Sequence, residues 1–298
     1  MSERQSPLLI DPQTAIGGGE AGFFPFDLFE RQCLAQGDSW FSIGAIPPTL
    51  TTRILSELEL LRSTVIVNCA FPGAKLTRMV DSTRSPHFRR FLTGKRATKW
   101  HVILFSGGGN DLIEAVGAPP ASAPAERLLR TPAERGPGPL APADYISAAG
   151  WATFAAHVGA VFDELIDLRD GGINRTTPLV LHNYARVMPR PAPAGLGFGP
   201  WLLPALDAFA VPAADRLAVA DELLARLRTL IDAVVAARCA RDAQCAVHVV
   251  DSMSAGVTLA DAGSTGASGD WINEIHLTRG GYRKCAGAWQ PVLDALLA

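Results

Sequence analysis

The chain of 298 residues is 48% hydrophobic and 19% charged, with a formal net charge of −2. That length and balance suit one large α/β domain, or two small ones, with an ample core, and they carry no basic footprint for nucleic acid. No apolar run reaches the roughly 18–20 residues that span a bilayer, and the opening MSERQSPLLIDPQ lacks an apolar stretch followed by a small-residue cleavage site, so the expected location is cytoplasmic, with signal-independent export left open.

Five cysteines, Cys33, Cys69, Cys239, Cys245 and Cys285, are scattered without a C-x-x-C pair. They read as neither a disulfide framework nor a zinc site, and a reduced compartment is the simplest reading. The six histidines lack the paired spacing of a metal site on one helix, so no metal is implied.

In chain order, an N-terminal extension to about residue 28 precedes the short run QCLAQ (32–36). STVIVNCA (63–70), KWHVILFSG (99–107), PLVLHNY (178–184) and CAVHVVDS (245–252) follow as β-branched, buried strands. Between and after them, helices are predicted over 50–62, 75–93, 144–168, 213–240 and 278–297, where apolar residues recur at three- and four-residue spacing. Strand–helix alternation predicts a parallel sheet covered on both faces, hence a single three-layer domain over 1–298. Two insertions interrupt it: 117–142, rich in Pro, Ala and Gly, and 186–212, which mixes proline with Phe198, Trp201, Leu202 and Leu203. Both follow carboxyl ends of strands, where open parallel sheets bind ligands. They read either as surface loops or as a lid and an apolar pocket wall.

GGGEAG (17–22) matches G-x-G-x-x-G, but no strand precedes it and Pro25 stands where a helix would follow. SGGGND (106–111) follows a strand but has neither the third glycine nor the Lys-Ser/Thr of a phosphate loop. No nucleotide or other cofactor is expected.

The residues just past the strands point elsewhere. Strand one ends in Gly37-Asp38-Ser39, strand two in NCAFPG with Gly73, strand three in GGND with Asn110, and DWINEIHL near the end carries His276. All fall on one edge of the sheet. Acyl transfer needs a nucleophile, a general base and donors for the oxyanion. Ser39 can supply the hydroxyl and a backbone N–H, Gly73 a second N–H, Asn110 a side-chain N–H, and His276 the base.

On these four blocks the sequence resembles the SGNH (GDSL-type) ester hydrolases, whose name lists Ser, Gly, Asn and His in this order. The resemblance spans residues 37 to 276. It implies a flavodoxin-like five-stranded parallel sheet in the order 2-1-3-4-5, and cofactor-free hydrolysis of carboxylic esters or thioesters through an acyl-enzyme, with a small-molecule ester as the partner. A catalytically weak binding protein of this fold and an acyltransferase are the alternatives. The family places an aspartate three residues before the histidine, where this chain has Asn273. Glu274 is the expected acid, with Asp270, Asn273 or a plain Ser–His dyad as rivals.

Asp38 and Asp111 read as loop-ordering residues. His182, at the end of the fourth strand, reads equally as a substrate contact or a hydrogen-bonded structural residue. Trp40 and Trp271 flank the serine and histidine loops, and Trp40 and Trp201 are candidate substrate contacts.

Overall fold

The computed structural model describes residues 3–17, 24–42, 52–94, 97–195 and 197–298. Among the described residues six strands form one parallel sheet: β1 (Leu8–Ile10), β2 (Arg31–Gly37), β3 (Thr64–Asn68), β4 (Val102–Ser106), β5 (Leu179–His182) and β6 (Val247–Val250), in the order β1-β3-β2-β4-β5-β6. The five strands expected from the sequence thus stand in the order 2-1-3-4-5. The three-residue β1 adds an outer edge, Leu8 to Ile10 pairing with Val65 to Val67 of β3.

Helices cover both faces, and strand alternation shows how. Phe105 of β4 meets Phe162 of α6 (Ala148–Asp170) and Phe88 of α3 (Pro86–Thr93). The next residue, Ser106, bonds His182, whose ring lies 5.4 Å from that of Trp289 on α9 (Arg279–Leu296). Successive side chains of a strand face opposite ways, so α3 and α6 lie on one face and α9 on the other. On the α6 side runs α8 (Arg216–Arg241), the longest helix. Hydroxyl caps start two of these helices: Ser147 accepts from Gly150 N, and Thr278 from Gly281 N. The central strands are apolar and almost wholly buried, at roughly 1.5–3 kcal/mol for each large aliphatic side chain.

Several expectations change. The helix over 50–62 reduces, within the described residues, to a 3-10 turn at Ile54–Glu57. Beyond it the chain is extended, with Leu58 and Leu60 buried and Leu60 exchanging backbone hydrogen bonds with Gln5. The helix over 75–93 is two, α2 (Leu76–Val80) and α3, because Asp81 folds the chain onto Thr83 and Pro86 excludes residue 85 from a helical turn. GNDLIEAV, unassigned from sequence, is helix α4 (Gly109–Val116). Most of GGGEAG lies outside the described residues.

The insertion 117–142 is anchored, which a surface loop or lid would not require. Leu128 and Leu129 are buried, Leu129 bridges to Ile146, and Arg127 pairs with Glu134 at 2.6 Å. It carries one short helical turn, α5 (Pro132–Arg135), and the insertion 186–212 carries α7 (Leu202–Ala208). Against the expectation of a reduced compartment and no disulfide framework, Cys239 and Cys245 form a disulfide where α8 hands over to β6. Among the described residues no helix is long and apolar enough to cross a membrane.

Candidate active site

Gly37 occurs where β2 runs close against β4: a Cβ there would lie 2.8 Å from both Cβ and the carbonyl oxygen of Ser106. Close approach, rather than the positive φ of a turn, is what requires glycine. Asp38 then turns the chain. Its buried carboxylate accepts from Trp40 N (3.0 Å), Ser106 Oγ (2.9 Å) and the Tyr184 hydroxyl (2.5 Å). Burial raises it to about 6 against these donors, the Tyr184 bond first among them. Held this way, the turn presents Ser39, 8% exposed, at the carboxyl edge of the sheet.

His276 Nε2 lies 2.9 Å from Ser39 Oγ. Its Nδ1 lies 3.1 Å from Asn273 Oδ1, which also accepts from Ile275 N (3.1 Å) and His276 N (2.9 Å). Those two backbone groups can only donate, so the amide oxygen must face them, and the same oxygen then faces Nδ1. The imidazole therefore carries its proton on Nδ1 and turns the Nε2 lone pair to the serine hydroxyl. This is the tautomer a general base needs. Burial pushes His276 down to about 4, with no opposing carboxylate against the ring among the described residues.

Glu274, the acid expected from sequence, turns away from the histidine. Its carboxylate accepts from the backbone N–H groups of Arg190 (3.1 Å), Trp201, Leu202 (2.8 Å) and Leu203 (2.8 Å), capping the first turn of α7. A side chain with four such donors has no oxygen left for the imidazole. Burial raises its pKa while these bonds lower it. Asp270 is also elsewhere, paired with Lys284 at 2.6 Å and accepting from Thr258 N. Of the three candidates, Asn273 is the one brought to the ring.

Arg190, which sequence reasoning missed, is fully buried and pins the histidine loop. Its guanidinium donates to the carbonyls of Asn273 (2.9 Å), Ser264 (3.1 Å) and Gly266 (2.5 Å). Nothing in the pattern RVMPRPAPAG sets this arginine apart. Ser106 and Tyr184, which hold Asp38, were equally silent.

Asn110 is the second residue of α4, placed there by Gly108 at φ +101°. One Nδ2 proton goes to Ala74 O at 3.0 Å, tying Asn110 to the loop of Gly73 and leaving its second proton for a ligand. Asp111 reinforces the tie by accepting from Leu76 N. Gly73 has φ +70°, and the place of its missing Cβ is open. Among the described residues neither Ser39 N nor Gly73 N donates to a protein acceptor. The glycines of SGGGND also have structural reasons: a Cβ on Gly107 would meet Leu76 at 2.6 Å, and one on Gly109 the Tyr184 ring at 2.8 Å.

An apolar slot of about 50 Å³ opens beside Ser39 and Asn110, walled by Leu112, Val187, Leu202, Leu223 and Ile275. The insertion 186–212 is thus a pocket wall, as one reading of the sequence had it, and 117–142 does not line the slot. Trp40 borders it from within an aromatic cluster with Tyr184, Trp271 and Tyr282. Trp201 stands edge-on to His276, ring centres 5.7 Å apart. His182 does not line the slot. It is buried, with Nε2 2.8 Å from Ser106 Oγ and Nδ1 3.1 Å from Ser252 Oγ, and burial pushes it down to about 3.

No protein-family model and no curated protein matches the chain. Solved structures align with most of it at low identity. The extracellular lipase of Streptomyces rimosus is 16% identical, over 89% of this chain and 99% of that one, with a TM-score of 0.45. Phospholipase A1 of Streptomyces albidoflavus is 15% identical over 89% and 98%, at 0.45. The lipase/acylhydrolase of Enterococcus faecalis is 12% identical over 89% and 96%, at 0.42.

Proposed function

We propose that the chain is an SGNH-type serine hydrolase that cleaves a carboxylic ester with a short acyl group. The observation that carries this is the line Asn273 Oδ1, His276 and Ser39 Oγ, at 3.1 and 2.9 Å, with the histidine tautomer fixed from behind. In the first step His276 Nε2 takes the Ser39 proton as Oγ bonds to the acyl carbon. The carbonyl oxygen, now an anion, meets Ser39 N, Gly73 N and Asn110 Nδ2. Collapse breaks the bond to the alcohol oxygen, which receives the proton from His276. Water then enters, loses a proton to His276 and releases the acid, restoring Ser39.

The small apolar slot favours a short acyl chain, since about 50 Å³ holds only a few heavy atoms. Asn273 supports activity rather than its loss. Replacing a triad aspartate with asparagine costs about 10⁴ in kcat where the amide forces the wrong tautomer; here two backbone N–H groups prevent that. What is missing is the negative charge. The test is turnover of p-nitrophenyl acetate, with Ser39→Ala expected to lose about 10⁴–10⁶ in kcat while remaining folded. A folded wild-type chain with no esterase activity would favour a binding protein instead.

A further inference from the structure

The sheet order places Ser39, at the end of β2, between two cavities. The apolar slot lies on the β4–β5 side, built from α4, α7, α8 and the chain after β5. The second, of about 160 Å³, lies on the β3–β1 side, between α1 (Pro12–Ile16), the loop of Gly73, α2 and the start of α3. Phe71 and Ala74, on either side of Gly73 in sequence, and Gln36 of β2, three residues before Ser39, line it, with Phe71 N bonded to Gly37 O at 2.9 Å.

Its chemistry is cationic. Arg78 and Arg84 line it beside the imidazole of His87, and among the described residues no carboxylate does. The Arg78 guanidinium lies 3.9 Å from the centre of the half-exposed Phe71 ring and has no ion-pair partner among the described residues. Arg84 reaches Asp81 only at 4.0 Å. His87 Nδ1, shut off from solvent, finds no hydrogen-bond partner among the described residues. These residues belong to the most basic stretch of the chain: 75–99 holds eight lysines and arginines against the single Asp81, in a protein of net charge −2.

We propose that this cavity receives the alcohol half of the ester, and that this alcohol carries a phosphate or carboxylate group. The inference rests on Ser39 being the nucleophile. With the acyl chain in the apolar slot, the scissile oxygen at Ser39 leads across the Gly73 loop to Arg78 and Arg84, whose guanidinium groups suit a planar or tetrahedral anion. When the bond to the acyl carbon breaks, the leaving oxygen takes its proton from His276, and the anion stays unchanged on the departing alcohol.

The experiment compares 1-acetylglycerol with 1-acetylglycerol 3-phosphate, and in parallel titrates glycerol 3-phosphate calorimetrically into the intact chain. Wild type should favour the phosphate ester by about tenfold or more in kcat/KM, with a preference that weakens as salt rises. In R78Q/R84Q the ratio of the two kcat/KM values should fall by about tenfold and glycerol 3-phosphate binding should weaken to match, while R78K/R84K keeps most of both. Hydrolysis of both esters at equal rates without arginine-dependent binding would overturn the subsite and leave the hydrolase reading intact. Arginine-dependent binding with neither ester hydrolysed would support the anion site and sink the hydrolase. If the arginines instead govern adsorption to phosphatidylcholine vesicles containing phosphatidylglycerol, and glycerol 3-phosphate does not bind, the basic stretch serves a membrane surface and the proposal fails.

Discussion

Asn273→Asp would put a full negative charge where the amide oxygen now stands, 3.1 Å from His276 Nδ1. The imidazolium, which burial now disfavours down to about 4, would gain an opposite charge at contact. Such a neighbour raises a histidine by about one to three pKa units, roughly 1.4–4 kcal/mol. The lower half of that range is expected, because the second carboxylate oxygen would take the place of Asn273 Nδ2, which is buried without a partner. The base works only when unprotonated, so activity rises as pH climbs through its pKa. The acid limb of kcat/KM for p-nitrophenyl acetate should therefore have its inflection near 4 in wild type, and one to two units higher in the variant. Above both inflections the more basic imidazole should be faster by about three- to tenfold, for a Brønsted slope of about one half, and the advantage should shrink at pH 5. A wild-type inflection at 6.5 or above, or a variant whose inflection does not move, would refute the reasoning.

Asn110→Ala should lower kcat by about 10²–10³ with little change in KM, since its free Nδ2 proton is needed once the oxyanion forms; an effect confined to KM would make it a substrate contact. Glu274→Gln should leave the pH profile of kcat/KM unshifted but lower stability by about 1–3 kcal/mol in urea unfolding, because an amide cannot accept from all four N–H groups that meet the carboxylate. A shifted acid limb would return Glu274 to the role of catalytic acid. His182, held neutral at about 3 by burial, must gain a proton on unfolding in acid. Its folded pKa lies below the unfolded value near 6.5, so it costs stability as pH falls from 6.5 toward 3. His182→Gln should flatten that loss in unfolding free energies measured at pH 4 and pH 7.

The placement of Ser39, Gly73 and Asn110 was legible because each stands just past a strand, and parallel strands bring such ends to one edge; His276 was placed only as a loop residue ahead of the last helix. The order of the five main strands came with the resemblance. The orientation of Glu274 and Asn273 was hidden, since in an irregular loop the choice of which neighbour faces His276 depends on Arg190 and the first turn of α7, some seventy to eighty residues away. Leu58 and Leu60 fit a helical face and an extended chain equally well, and the bridge to Gln5 decided for the extended chain. β1 is too short to show a period. Cys239 and Cys245 are six residues apart across a helix end, a spacing no disulfide or zinc pattern marks. His182 could be placed at the end of a strand, but its face, toward Ser106 and α9 rather than the pocket, required the packed structure.

If Ser39 is the nucleophile, His276 and the surrounding donors activate that one hydroxyl. Treating the folded chain with a fluorophosphonate and mapping the adduct by peptide mass spectrometry tests it directly. One adduct per chain is expected, on Ser39, absent from Ser39→Ala and strongly slowed in His276→Ala. Stoichiometric labelling of another serine, or undiminished labelling of Ser39→Ala, would contradict it.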